Sequence, residues 1–194
     1  MTLDQKIRKN GIIGGLLLGA GLLTLSIFSF YLITSITESV TVFIISPTLF
    51  SFILPIIMVV VFCYVSRKKI GGYWSFRQAT TGIFIMFIIA YVFQVIGRDL
   101  IFAKLIEPKM VEKTEAAFIR ESDIMKTTPG ANKKQIDDNI NGIKQNLAQQ
   151  KNITVGQVIS GTGINIVLIF VVALIFGTLF KKDPPVYYSA EEKI

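Results

Sequence analysis

The hydrophobic pattern of the chain is dominated by four long runs that are almost free of charge. They cover residues 11–33, 40–65, 79–96 and 164–180. Each run has about the 17–25 residues that a helix needs to cross the hydrocarbon core of a bilayer. A barrel strand would alternate apolar and polar positions over about ten residues, whereas these runs are apolar on every side. The pattern therefore predicts an all-α membrane protein with four transmembrane helices.

A different, amphipathic pattern fills the segment between the third and fourth runs. Ile136, Ile140, Ile143 and Leu147 fall on one face of a helix. The preceding half carries apolar pairs at heptad spacing, and turn-forming residues at positions 127–130 separate the two halves. Two helices with one apolar stripe each should pack as an antiparallel hairpin.

These patterns divide the chain into four parts. We assign residues 1–102 to the first three transmembrane helices and residues 103–160 to an extracytoplasmic helical hairpin. The fourth transmembrane helix takes residues 161–180, and a cytoplasmic tail takes residues 181–194.

Composition narrows the chemistry that the chain can perform. Hydrophobic residues make up 52% of the chain, charged residues only 17%, and there is one cysteine and no histidine. An intrachain disulfide and all histidine-dependent catalysis are therefore excluded. Adjacent acids such as Asp137 and Asp138 point in different directions on a helix, which is typical of a solvated surface. We expect no catalytic residues, no metal site, no cofactor and no enzymatic activity.

Positive charge indicates the orientation of the chain, because short cytoplasmic flanks are enriched in Lys and Arg. Three such residues precede the first run, four lie between the second and third, two follow the fourth, and none lies between the first and second. Both termini should therefore be cytoplasmic in a multi-pass protein of the bacterial plasma (inner) membrane. The net charge of +7 is then explained by contact with the lipid bilayer and not by nucleic-acid binding.

The connection between the second and third runs, with the sequence RKKIGGYWSFRQA, should lie at the lipid headgroups. Ser75 followed by Gln78 is a capping-box pattern that begins the third helix. Trp and Tyr are common at the membrane interface. We therefore assign six residues to topology and lipid headgroup contact: Arg67, Lys68, Lys69, Tyr73, Trp74 and Arg77.

This connection also carries a family resemblance. The stretch GYWSFRQA at residues 72–79, the apolar helix after it, and the sequence Ile-Glu-Pro at residues 106–108 resemble the bacterial family catalogued as domain of unknown function 4199. The layout of the chain, with a charged segment between the third and fourth spans, is similar too. The resemblance implies an integral membrane protein and no particular activity.

A stripe of small residues marks one face of the first run. Gly11, Gly15 and Gly19 recur at every fourth position, and such spacing lets a second helix approach closely. That helix could belong to the same bundle, or to a second copy of the chain in a homo-oligomer.

Two sets of polar residues are predicted to interact near the outer half of the membrane. Positions fifteen residues outward from the inner ends of the four spans are all polar: Ser26, Ser51, Gln94 and Asn165. Because a bare amide in hydrocarbon is costly, we expect one polar layer in which Gln94 contacts Asn165. At the outer edge, Arg98 should pair with Glu38.

The sequence favours a non-enzymatic structural or interaction protein. Its external hairpin would dock an unknown protein partner or a second copy of the chain. A small transporter or channel subunit is the alternative. Transport paths usually carry ionisable residues inside the membrane, and the four apolar runs have none near their centres.

Overall fold

The computed structural model describes residues 2–37, 39–127, 132–151 and 155–183, and gives the backbone alone for residues 135, 148–151 and 155–160. Within these ranges the chain forms six helices: α1 (Leu3–Ile36), α2 (Val40–Lys69), α3 (Phe76–Ile106), α4 (Met110–Thr127), α5 (Lys133–Lys151) and α6 (Val155–Phe180). Four of these helices are long and apolar enough to cross a membrane, with Gly161–Phe180 as the candidate span within α6. The predicted fold class is confirmed: four spans, with two shorter helices between the third and the fourth.

Three stretches of the long helices have π-helical hydrogen bonding. They are the end of α1 at Leu32–Ile36, the middle of α2 at Leu49–Ile53, and the C-terminal part of α3 at Val95–Ile106. In α2 the π-helical stretch ends at Ile53, two residues before Pro55, which has no N–H to donate to the carbonyl of Ser51. Because the last stretch extends α3 to Ile106, this helix continues past the boundary expected at residue 102.

The third span, α3, is the central helix of the bundle. It makes its most extensive contacts with α1 and its next most extensive with α6, while α2 packs mainly on α1. A third of the apolar window of α3 is buried within the chain, compared with 6% of that of α2. The buried core is formed by residues of α1, α2, α3, α6 and the α2–α3 connection: Leu18, Cys63, Trp74, Ala79, Ile83, Met86, Ala90 and Ala173.

The glycine stripe of α1 is the surface on which α3 packs. A Cβ atom added at Gly15 would lie 2.6 Å from the backbone oxygen of Met86, and one added at Gly19 would lie 2.7 Å from the Cβ of Phe93. At Gly11 the added atom would lie 2.9 Å from the oxygen of Gly82. The stripe therefore serves packing within one chain. The alternative in which Gly11, Gly15 and Gly19 bind a second copy of the chain is therefore wrong, because α3 already occupies that face.

The two helices outside the spans form the expected hairpin. α4 and α5 pack against each other, and α4 also contacts the C-terminal end of α1 and the start of α2. On α5 the predicted apolar stripe is turned inward, with Leu147 buried and the three isoleucines half-buried. The turn expected at residues 128–130 lies outside the described residues.

Candidate functional site

The connection between α2 and α3 is joined to the end of α6 through Trp74. The indole Nε1–H donates a 2.6 Å hydrogen bond to the carbonyl oxygen of Phe180. The backbone N–H of Trp74 donates to the carbonyl of Lys182 at 2.9 Å, and the N–H of Lys182 donates back at 3.0 Å. One guanidinium nitrogen of Arg67 also approaches the Phe180 carbonyl, at 3.4 Å. The last carbonyls of a helix lack hydrogen-bond donors within that helix. Here Trp74 and Arg67 provide the donors for the carbonyl of Phe180.

Local backbone features explain how Trp74 reaches this position. Gly71 and Gly72 have positive φ values of 111° and 84°, a conformation in which side chains are disfavoured and glycine is not. The Ser75 hydroxyl accepts from the Gln78 N–H and the Gln78 side chain accepts from the Ser75 N–H, so the predicted capping box is present. The tight turn at Gly71 and Gly72 and the helix cap together place the indole against the end of the helix bundle.

The assignment of Trp74 to lipid headgroups is therefore wrong. Only 3% of its surface is exposed, and it belongs to the core. The general preference of Trp for the membrane interface takes account only of the helix end at which the Trp lies. The carbonyl that Trp74 binds lies at the end of a different helix, α6. Tyr73 is 40% exposed and lies beneath the ammonium of Lys182, 5.3 Å from ring centre to Nζ. Arg67 is half-buried; Lys68, Lys69 and Arg77 are exposed, so for these four contact with headgroups stays a prediction.

The two intramembrane amides each bond across helices, but to different partners. The Gln94 amide nitrogen donates to the backbone oxygen of Gly19 at 3.1 Å, and the Asn165 amide nitrogen donates to the hydroxyl of Tyr91 at 3.2 Å. No hydrogen bond joins Gln94 to Asn165 in the described part of the chain. The reason lies in α3: the side chain of Gln94 turns toward α1, where the glycine stripe brings a backbone carbonyl within reach.

The remaining members of the predicted polar sets have less definite surroundings. Ser26 is half-buried and Ser51 is exposed, and neither makes a side-chain hydrogen bond within the described residues. The predicted contact between Gln94 and Asn165 is therefore wrong, and no hydrogen bond among the described residues joins these four residues into one polar layer. Arg98 is exposed in the C-terminal part of α3, while its expected partner Glu38 lies outside the described residues, so their ion pair stays a prediction.

A second junction, which the sequence did not reveal, fixes the hairpin to the spans. The guanidinium of Arg120 on α4 donates to the backbone oxygen of Thr37, just after α1, at 3.3 Å, and it pairs with Glu121 at 3.2 Å. The Glu121 side chain is fully buried, and its second carboxylate oxygen has no partner among the described residues. Phe118 packs edge-on against Phe43 of α2, with ring centroids 5.0 Å apart.

An ion pair joins the last turn of α4 to the beginning of α5. The ammonium of Lys126 on α4 bonds the carboxylate of Asp137 on α5 and lies 3.9 Å from that of Asp123. The hydrogen bond to Asp137 raises the pKa of Lys126 above its ordinary value. Both side chains keep substantial contact with solvent, and such pairs contribute little to stability. The pair therefore shows how α4 and α5 are aligned along each other, and it adds little to the stability of the hairpin.

The sequence of this chain also matches a known protein family. The family described as "Protein of unknown function (DUF4199)" matches residues 9–182. This chain belongs to DUF4199. The resemblance seen in the GYWSFRQA stretch is thereby confirmed, and in this DUF4199 chain the tryptophan of that stretch is the residue that joins α6 to the α2–α3 connection.

One partial likeness to a curated protein extends over part of this DUF4199 chain. A segment of 81 residues, 42% of the chain, is 35% identical to a histidinol-phosphate aminotransferase of Acinetobacter baumannii. The segment covers 19% of that enzyme, too little to bear on activity here. No solved structure matches the chain.

Proposed function

We propose that this membrane protein is a non-enzymatic anchor that presents its α4–α5 hairpin to a protein partner. The observation that carries the proposal is the attachment of the hairpin to two different spans. Phe118 packs on Phe43 of α2, and Arg120 bonds the Thr37 backbone at the end of α1. A segment held on two different spans keeps a defined position, which lowers the entropy cost of binding a partner.

The exposed surface of the hairpin has the chemistry of a polar docking face. On α5 the apolar stripe faces inward, and the outward positions carry charged and amide side chains: Lys133, Lys134, Asp137, Asp138, Asn139, Asn141, Lys144, Gln145 and Asn146. Both charge signs are present, which suits a partner protein with a mixed polar surface better than a uniformly charged polymer. The occupant that we propose is therefore another protein.

The proposal places the hairpin outside the cytoplasm and both termini inside. Support comes from the short segments beside the spans: the N-terminal segment, the α2–α3 connection and the residues immediately after α6 carry nine Lys and Arg, and the link between α1 and α2 carries none. Residues 103–160 also carry nine, but long segments cross a membrane largely regardless of their charge. A bacterial plasma membrane is the compartment that fits this arrangement.

Photo-crosslinking from the hairpin tests the docking role. A photoreactive amino acid at Asn141, on the exposed face, should give an adduct of constant mass in cells. The same probe at exposed Arg77 should not give that adduct. Substitution Asp138→Lys together with Lys144→Glu should remove the adduct while the protein stays folded. An adduct that survives this substitution, or one that two differently tagged copies of the chain form with each other, would contradict a partner protein.

The transporter or channel alternative makes a different prediction. It requires a polar path, and the intramembrane amides Gln94 and Asn165 donate their hydrogen bonds to protein groups. A flux assay in liposomes with the purified protein separates the two roles, since an anchor should leave ion and solute flux at the level of empty liposomes. An activity abolished by Asp137→Asn/Asp138→Asn would likewise contradict the non-enzymatic role.

A further inference from the structure

The end of the bundle that contains Trp74 gathers positive charge from three separate parts of the chain. We propose that this end binds the phosphate headgroups of anionic phospholipids through that gathered charge. The proposal does not depend on the docking role of the hairpin, nor on which side of the membrane either end faces.

Packing brings the three parts together. At the start of α1, Ile7 is buried, and a Cβ added to Gly82 of α3 would lie 3.1 Å from its side chain. At the end of α6, the paired backbone hydrogen bonds of Trp74 and Lys182 hold the following residues against the α2–α3 connection. The N-terminal segment, the connection and the residues after α6 therefore surround the same end of α3.

The charge at this end is strongly unbalanced. Nine cations lie in the three segments: Lys6, Arg8, Lys9, Arg67, Lys68, Lys69, Arg77, Lys181 and Lys182. Within residues 2–10, 66–78 and 181–183, the acids are Asp4 and Asp183, and the ion pairs of the described residues all lie between Glu107 and Asp137. Like charges gathered within about a Debye length repel one another unless anions accompany them.

The position of the cations indicates a lipid as the source of these anions. At the α2–α3 connection and at the end of α6, exposed apolar side chains lie within three residues of the charges. Tyr64 and Val65 precede Arg67, Phe76 precedes Arg77, and Leu179, which is 70% exposed, precedes Lys181. A phospholipid can place its phosphate against the cations and its acyl chains against the apolar side chains, whereas a soluble phosphate can bind the cations alone. Each Lys or Arg near an anionic surface favours binding by about 1 kcal/mol, or about fivefold.

Lipid competition on the purified protein tests the proposal. The detergent-solubilised protein is mixed with equal amounts of phosphatidylglycerol and phosphatidylcholine that have identical acyl chains, and retained lipids are counted by native mass spectrometry. The wild type should retain phosphatidylglycerol preferentially. Lys181→Gln/Lys182→Gln should lower this preference about 25-fold, and it leaves the backbone hydrogen bonds of Lys182 in place.

The matched control removes two exposed lysines from the opposite end, Lys104→Gln/Lys109→Gln, and should keep the preference of the wild type. Equal retention of the two lipids by the wild type would overturn the proposal. So would an equal loss of preference in both variants. Complete displacement of phosphatidylglycerol by inorganic phosphate would assign the site to a soluble anion and also overturn it.

Discussion

The indole of Trp74 and the backbone carbonyl of Phe180, 106 residues apart in the chain, are joined by a 2.6 Å hydrogen bond. This contact closes the bundle at one end, because it links the connection before α3 to the last residue of α6. The backbone pairing of Trp74 with Lys182 extends the same contact into the tail. The end of α6 is therefore held beside the α2–α3 connection.

Substitution Trp74→Phe tests this contact. Phenylalanine keeps an aromatic ring at this buried position but is smaller than the indole and lacks its N–H donor. The Phe180 carbonyl then keeps only its longer bond from Arg67, and a small cavity adds to the cost. We expect a loss of about 1–2 kcal/mol in the free energy of unfolding, measured by denaturation in mixed micelles. Tyr73→Phe, at an exposed neighbour, is the control and should change little. A Trp74→Phe protein as stable as this control would show that the hydrogen bond is not important.

Substitution Gly15→Ala tests the packing of α1 on α3. The added methyl group would lie 2.6 Å from both the Cβ of Ile89 and the backbone oxygen of Met86, so the helices must separate. Overpacking of this kind costs about 1–3 kcal/mol. The control is Gly163→Ala in α6, where no atom lies within 4 Å of the added group. Equal effects of the two substitutions on unfolding in micelles would contradict the packing described here.

The attachment of the hairpin can be tested with a pair of substitutions at Arg120 and Glu121. Arg120→Met alone leaves the Glu121 carboxylate fully buried without its cation, which is strongly unfavourable. Arg120→Met/Glu121→Leu removes both charges and should recover part of the lost stability. We expect limited proteolysis of α4 and α5 to be fastest in the single variant. If the double variant is cleaved at least as fast as the single variant, the Arg120–Glu121 pair is not what holds the hairpin.

Much of this architecture could be predicted from the sequence, because its causes are local. The length of an apolar run determines whether it spans a bilayer, and the stripe Ile136, Ile140, Ile143 and Leu147 follows helical periodicity. The Ser75–Gln78 capping box also depends on residues three positions apart. Each of these signals is complete within one segment of the chain.

The contacts that hold the segments together could not be predicted in the same way. Nothing around Trp74 indicates that α6 ends beside it, so a general preference of Trp for the membrane interface led to the wrong environment. The glycine stripe indicated close approach but not which helix approaches. The Gln94 amide was expected to bond Asn165, whereas the backbone of Gly19 is its partner. In each case the missing information is the relative position of two helices distant in sequence.

The orientation of the chain is the claim on which the proposed role depends, and cysteine labelling tests it most directly. In a Cys63→Ser background, single cysteines are placed at Asn141 on the exposed face of α5 and at Lys69 in the α2–α3 connection, both exposed positions. With an impermeant thiol reagent on intact spheroplasts, the cysteine at position 141 should be labelled, and the one at position 69 should react only after the membrane is permeabilised. Labelling of position 69 in intact spheroplasts, with position 141 protected, would contradict the account.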